Sequence, residues 1–283
     1  MPGKGGERRI SDDSIIKPID ALSAHKITSG QVVIDLQTAV KELVENSLDA
    51  GATSIGTSVV SPKEVRFKNY GLETIEVIDN GTGISSVDYE AVALKHHTSK
   101  LSSFDDLASV ATFGFRGEAL SSLCALTESV TVTTATTSEV PMGTILKFNK
   151  LGKLSDKSGR IARQRGTTVT ISGLFKPLPV RRKELERNAK REFAKALHLL
   201  NAYALVPCAN ENGGVRLSCS NQPAGGRKSE QLRTDGSSST RASISALWGP
   251  KTLENLEDLD LQFEVETEKS VLRRLKQLDD VLG

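Results

Sequence analysis

Cysteine, histidine and aromatic residues are all scarce in this 283-residue chain. The three cysteines, Cys124, Cys208 and Cys219, are an odd number without C-x-x-C spacing. They give neither a disulfide framework nor a cysteine zinc site, and they fit a reducing compartment. Of four histidines, His96 and His97 are adjacent and project in different directions, which argues against a histidine-based metal centre. Aromatic residues make up 4% against 37% hydrophobic, so the core must be aliphatic. No apolar run approaches the roughly 18 residues that a membrane span needs. The start, Met1-Pro-Gly-Lys-Gly-Gly-Glu-Arg-Arg9, has no signal-peptide apolar region. The phosphate-binding patterns G-x-x-x-x-G-K-[ST] and G-x-G-x-x-G are absent, which removes the P-loop and Rossmann readings.

Three motifs are present in their place. In Ala39-Val-Lys-Glu-Leu-Val-Glu-Asn-Ser-Leu-Asp-Ala50, Val40, Leu43, Val44 and Leu48 form one stripe at helical spacing. Glu42, Asn46 and Asp49 fall on the other side, at i, i+4 and i+7. A carboxylate and an amide on one face can hold a water and a metal-bound phosphate. A merely solvated face would usually carry Lys and Arg. The second motif follows a strand-like Thr74-Ile-Glu-Val-Ile-Asp79, which alternates apolar and polar and then breaks into Asn80-Gly81. A hairpin turn is one reading of that break. The other is a ligand contact, with the Asp79 carboxylate free to accept an exocyclic amine, and Gly81 and Gly83 letting the backbone approach closely. The third motif is Phe113-Gly-Phe-Arg-Gly-Glu-Ala-Leu120, where Gly114, Phe115, Arg116 and Gly117 precede a helical-looking Glu118, Ala119 and Leu120. A glycine-flexible loop opening a helix offers N–H groups to an anion. Upstream, Thr98, Ser99 and Lys100 add two hydroxyls and an ammonium.

The net charge of +2 hides an asymmetry. From Arg160 to Arg191 ten basic residues stand against two acidic ones, giving +8 and leaving −6 for the rest of the chain. Such a block can neutralise nucleic-acid phosphates and release counterions. Arg160, Arg163, Arg165 and Lys190 are its candidates, with Arg216, Arg227 and Lys228 beyond it. Arg181, Arg182 and Lys183 fit packing or a helix start equally well. No recognition helix or stacking platform accompanies the charges, so contacts would go to phosphates without base readout.

Along the chain, residues 1–15 read as a mobile lead-in, and Pro18 opens a short helix to about Ile27 before a break at Ser29-Gly30. The motif helix is expected over 34–50, with two strands flanking a hairpin loop at 62–72. Ser129–Thr134, Thr144–Phe148 and Thr167–Ile171 are strand candidates rich in β-branched residues. A long helix is expected from Glu184 to about Leu205. Val215–Cys219 reads as a strand, 220–240 as a Ser/Gly/Arg-rich loop, and Ile244–Trp248 as a short helix. Glu268 to Leu282 has a helix-compatible pattern.

These motifs, in this order, resemble the GHKL (Bergerat-fold) ATPases. Lys41-Glu-Leu-Val-Glu-Asn-Ser-Leu-Asp-Ala50 together with Phe113-Gly-Phe-Arg-Gly-Glu-Ala-Leu120 is similar to the MutL mismatch-repair branch. Lys95-His-His-Thr-Ser-Lys100, Leu174-Phe-Lys-Pro-Leu-Pro-Val-Arg181 and Gln31-Val-Val resemble its eukaryotic PMS-type subunit rather than the MLH-type partner. The resemblance runs from about Ile16 to Leu261. It implies an α+β fold, a two-layer sandwich with helices on one face of a mixed sheet. It divides the chain into an ATPase domain at 16–212 and the start of a second, truncated, transducer-like and DNA-binding domain at 213–283. By the resemblance, Glu42 is the general base on the γ-phosphate, Asn46 a Mg²⁺ ligand, Asp79 the reader of adenine aided by the hydroxyl of Thr168, and Glu118 to Leu120 the phosphate loop. It implies ATP and Mg²⁺ as cofactors, slow hydrolysis, ATP-driven closure on DNA, an MLH-type partner, a MutS-type complex, a nuclear location and no membrane. A gyrase B-like or chaperone-like GHKL switch is the alternative, against which Pro177-Leu-Pro-Val-Arg-Arg-Lys-Glu184 argues. No cluster of acidic, His or Cys ligands at nuclease spacing occurs, so no DNA cutting is expected.

Overall fold

The computed structural model describes residues 17–55, 64–100, 112–114, 116–205, 214–237, 239–257 and 259. The lead-in 1–15, Phe115, Cys208 and the expected tail helix at 268–282 lie outside the described residues. Five α-helices are described: α1 (Ala21–Val32), α2 (Leu36–Asp49), α3 (Ala119–Leu126), α4 (Pro179–Leu205) and α5 (Thr240–Trp248). Nine strands join them: β1 (Ser54–Ile55), β2 (Val65–Lys68), β3 (Thr74–Ile78), β4 (Ser129–Ala135), β5 (Met142–Phe148), β6 (Leu154–Ala162), β7 (Gly166–Ser172), β8 (Arg216–Gln222) and β9 (Ser229–Arg233).

The strands form one mixed sheet in the order β1-β8-β2-β3-β7-β4-β5-β6, with β9 on β8. β8 runs parallel to both β1 and β2, and the remaining pairs are antiparallel. Strand alternation then decides which side is covered. Ile75 and Val77 of β3, with Val130 and Val132 of β4, are buried in the core that α2, α3 and α4 share. On β3, Thr74 and Glu76 alternate with these and are less buried; Glu76 accepts from Arg66 at 2.9 Å and from Thr170 at 3.3 Å. One face is apolar and helix-covered, the other polar, which is the two-layer α+β arrangement expected.

α2 is begun by Asp35, whose carboxylate accepts from the N–H and the hydroxyl of Thr38, each at 2.7 Å. Of the predicted stripe, Val40, Leu43 and Val44 are buried and Leu48 is partly buried against the core, and Leu36 and Ala39 join them. α4 buries Leu185, Ala189, Phe193 and Leu200, and Phe193 meets the rings of Phe67 and Tyr70 edge-on at 5.0 and 5.7 Å. Edge-to-face pairs of this kind add about 0.5–1.5 kcal/mol beyond burial.

Several boundaries differ from the sequence reading. α1 does not break at Ser29-Gly30. It continues to Val32, where the Val33 N–H still reaches the Ser29 carbonyl at 3.0 Å, and the missing side chain of Gly30 leaves room for Arg181, whose guanidinium lies 3.1 Å from where a Cβ would sit. α4 starts at Pro179, five residues early; proline's fixed φ suits a first helical turn. The hairpin loop expected at 62–72 contains β2, and the chain turns through Asn69 and Tyr70 at positive φ. β6 was not expected, and β9 lies inside the stretch 220–240 read as loop. The division expected at 212/213 does not coincide with a break in the sheet: β8 is a ladder partner of β1 and β2, and β9 adds to β8.

Candidate functional site

A cleft of about 1420 Å³ opens between α2, the β3 end and the start of α3. It is lined by Glu42, Asn46, Asp49, Asp79, Gly83, Thr98, Ser99, Lys100, Gly114, Arg116, Gly117, Glu118, Ala119 and Leu120. The three motifs, up to 78 positions apart in sequence (Glu42 to Leu120), therefore meet. Glu42 is partly exposed, and burial raises its carboxyl above the usual range, with Lys41 opposing and Glu45 adding to the rise. Asn46 Oδ1 lies one turn further, 3.4 Å from Lys100 Nζ, which donates to it.

Asp79 sits at the deep end, 4% exposed. Its Oδ1 accepts from the N–H of Gly81 at 2.8 Å and of Thr167 at 3.0 Å, and its Oδ2 from the Ser47 hydroxyl at 3.1 Å. Burial nevertheless pushes its carboxyl up, ahead of these three opposing hydrogen bonds. The Asn80-Gly81 break is thus no hairpin; the carboxylate caps its own turn. Gly83 adopts φ +77, and a Cβ there would lie 2.3 Å from the Ala135 carbonyl. Gly81 supports the turn, packing against Ala50, and does not line the cleft. Thr168, expected at the ligand, does not line the cleft. Thr167 lines the cleft, and its hydroxyl shares a 3.2 Å hydrogen bond with that of Thr134. Thr168 is its neighbour on β7, so its side chain projects from the opposite face, where its hydroxyl accepts from Arg163 at 2.5 Å.

The glycine loop is tied down by Asp49. Its carboxylate accepts from the N–H of Phe113 at 2.9 Å, from the N–H of Gly114 at 3.0 Å and from Lys100 Nζ at 2.5 Å. That side chain is 4% exposed. Asp49, predicted to touch the ligand, spends its carboxylate holding the loop and Lys100. Gly117 takes φ +60, and its carbonyl accepts from His96 N–H at 3.1 Å. Glu118 turns its carboxylate to Lys95 and His96, at 3.6 and 3.5 Å. Among the described residues no side-chain hydrogen bond caps α3, which leaves its first amides open to an anion in the cleft.

Residues 34–164 match the family of histidine kinase-, DNA gyrase B- and HSP90-like ATPases. Over 241 residues the chain is 49% identical to human mismatch repair endonuclease PMS2, covering 85% of this chain and 26% of that protein. It is 49% identical over 243 residues to the DNA mismatch repair protein pms1 of Schizosaccharomyces pombe, covering 86% and 29%. A crystal structure of the N-terminal domain of a DNA repair protein aligns at TM-score 0.70 and 42% identity, over 84% of this chain and 64% of that one. The Aquifex aeolicus MutL ATPase domain complexed with ADP aligns at TM-score 0.52 and 26% identity, over 75% and 68%. The chain belongs to the MutL branch of the GHKL ATPases. It spans about a quarter of the length of the curated relatives it matches.

In this MutL-type chain the predicted basic contacts are dispersed, and most have protein partners. Arg163 is the clearest departure. It donates to the Gly166 carbonyl at 3.1 Å, to Thr168 and, at 3.5 Å, to the Asp79 carbonyl, and burial pushes its guanidinium down. Arg160 donates to the Thr144 hydroxyl, Arg165 to the Asn80 carbonyl at 3.2 Å and Arg216 to the Asp235 carbonyl at 3.3 Å. Lys228 pairs with Glu64 at 2.5 Å, Lys190 lies 5.9 Å from the Tyr70 ring centroid, and Arg227 is exposed. Arg181 and Arg182 serve packing: Arg182 donates to the Leu72 and Leu174 carbonyls at 2.9 and 3.1 Å. Lys183 and Arg187 are exposed on α4. Sequence reasoning missed Ser47, Thr134 and Thr167; in Gly166-Thr-Thr168, the sheet register alone decides which threonine faces inward.

Proposed function

We propose that this chain binds ATP with Mg²⁺ and hydrolyses it as the N-terminal ATPase region of a PMS-type mismatch-repair subunit. The observation that carries this reading is the convergence of Glu42, Asn46, the buried Asp79 and the amides opening α3 on one cleft. Asp79 is preorganised by three donors, two on Oδ1 and one on Oδ2, so the remaining lone pair of Oδ2 can accept an adenine amine without rearrangement. The α3 amides, Lys100 and the loop at Gly114 receive phosphates. Mg²⁺ fits the donor set: Asn46 offers one neutral hard oxygen beside the phosphate end, and such an ion takes its remaining ligands from phosphates and waters. When bound, it would neutralise charge on the phosphates. Glu42 orients the attacking water and takes its proton, work a carboxylate performs at neutral pH when the water is well placed.

In the whole protein this region would pair with an MLH-type subunit, close on DNA in an ATP-dependent way, signal with a MutS-type complex and act in the nucleus. The names of the relatives support that assignment. DNA contacts would be to phosphates, through exposed cations such as Lys183, Arg187 and Arg227. The test is calorimetry with ATP and turnover of Glu42→Ala. Retained nucleotide binding with turnover lost is the expected result, and Glu42→Ala turnover equal to the parent's would remove the base assignment.

A further inference from the structure

Glu45 is an ionisable group on the cleft side of α2, only 5% exposed, and the ATPase reading gives it no task. A buried carboxylate needs partners, and it has two. Its Oε2 accepts from Lys41 Nζ at 2.6 Å and its Oε1 from the Tyr203 hydroxyl at 2.5 Å. Lys41 Nζ also lies 3.7 Å from Glu42 Oε1. One ammonium on α2 thus stands between two carboxylates, and the buried one holds it closer. Tyr203 comes from the last turn of α4, 158 positions away in sequence. Burial and the acidic neighbours Glu45, Glu42 and Asp49 push its phenol up, so it remains a hydrogen-bond donor. Its ring meets that of Phe113 edge-on at 6.2 Å, and the Phe113 amide is one of the two that Asp49 fixes.

We infer that Glu45 and Tyr203 are positioning residues that hold the Lys41 ammonium off Glu42, leaving the Glu42 carboxylate free to accept the proton of the attacking water. The inference rests on the reading of Glu42 as the base. Its physical basis is competition for one cation. Without the charge on Glu45, the nearest carboxylate left to Lys41 is Glu42, and a lone pair taken by an N–H cannot take a proton from water. The other cation close to Glu42 is Lys100, which Asp49 holds at 2.5 Å. Each lysine near Glu42 is therefore drawn away from it by a neighbouring acid.

The experiment measures kcat and KM for ATP, with nucleotide Kd by calorimetry, in the parent, Glu45→Gln, Tyr203→Phe and the double variant Glu45→Gln with Lys41→Met. The expected result is a kcat lowered about tenfold in Glu45→Gln, a coupling of ordinary size for contacting residues, with Kd within about twofold of the parent. Tyr203→Phe, which keeps the ring against Phe113, lowers kcat by a smaller factor. The double variant recovers a large part of the rate that Glu45→Gln loses, because the competing ammonium is gone. A residue that only supports the fold would not be rescued by removing a second side chain. Parent-like kcat in Glu45→Gln overturns the inference, and so does a double variant no faster than Glu45→Gln. A parent that does not hydrolyse ATP overturns the ATPase reading itself, an outcome visible before any variant is compared.

Discussion

Asp79→Asn separates the stability of the fold from recognition of the ligand. The amide keeps an oxygen where Oδ1 accepts from Gly81 and Thr167, and its NH₂ faces a Ser47 hydroxyl that can turn to accept. No buried donor is orphaned, so stability should change by less than about 1 kcal/mol. The sign with pH follows from the raised carboxyl. A carboxyl whose folded value lies above its unfolded one contributes stability in acid that is lost as pH rises through the folded value. Asp79 in its ionised form therefore costs the parent some stability at neutral pH, and Asp79→Asn lacks that cost. Ligand binding should respond in the opposite direction. A hydrogen bond to a charged acceptor is worth about 1.5–3 kcal/mol, so nucleotide affinity should fall roughly ten- to hundredfold. Urea denaturation across pH 4–8 and calorimetry with ADP measure the two quantities on the same samples. Parent-like ADP affinity in a folded Asp79→Asn would refute the adenine assignment; a collapse in stability would refute the hydrogen-bond accounting.

Other outcomes follow from the same geometry. Gly117→Ala would place a Cβ 2.2 Å from the His97 carbonyl and should abolish measurable nucleotide binding, whereas Gly51→Ala, at φ +67 with nothing nearby, should cost only the left-handed backbone penalty of about 1–2 kcal/mol; equal effects in a binding assay would argue against a tight loop at Gly117. Because burial raises Glu42, ATP turnover should fall as pH drops through a value above the ordinary carboxylate range, while the protein stays folded by circular dichroism; a rate flat down to acid unfolding contradicts this. Arg163→Ala removes three internal donations and should cost about 2–3 kcal/mol, seen as a lower Tm, against less than about 0.5 kcal/mol for Arg227→Ala. Reversing the charges of Lys183, Arg187 and Arg191 should weaken DNA retention at low salt and flatten its salt dependence by about 0.9 log unit per decade for each phosphate no longer neutralised; an unchanged slope moves the DNA-binding surface elsewhere.

What the sequence made legible was local. The stripe Val40, Leu43, Val44 and Leu48 announces α2 because 3.6-residue periodicity needs no distant partner, and the β-branched runs announce β4, β5 and β7 for the same reason. β6 and β9 were hidden: Leu154–Ala162 and Ser229–Arg233 hold charged and small residues, and both are strands because a neighbour lends them a ladder. Within the site, the three motifs were readable as residue types, but each side chain's direction was not. Asp49 looked equivalent to Glu42 on the helix face, yet it is the acid that the loop amides and Lys100 claim. Nothing in the helical pattern singles out Glu45; the return of α4, carrying Tyr203, is what encloses it.

The parallel pairing of β2 with β8 has a consequence for biosynthesis. Val65 pairs with Cys219, 154 positions later (219 − 65). At about 5–20 residues per second of translation, β2 waits roughly 8 to 31 seconds for that neighbour to be made. During that interval the nascent sheet can close only on its β3 side, and the backbone groups of β2 that face away from β3 stay open to strays. A premature stop before Arg216 would make the interval permanent. Such a product would carry every described residue of the nucleotide cleft and still present a raw strand edge, a target for chaperones and proteases.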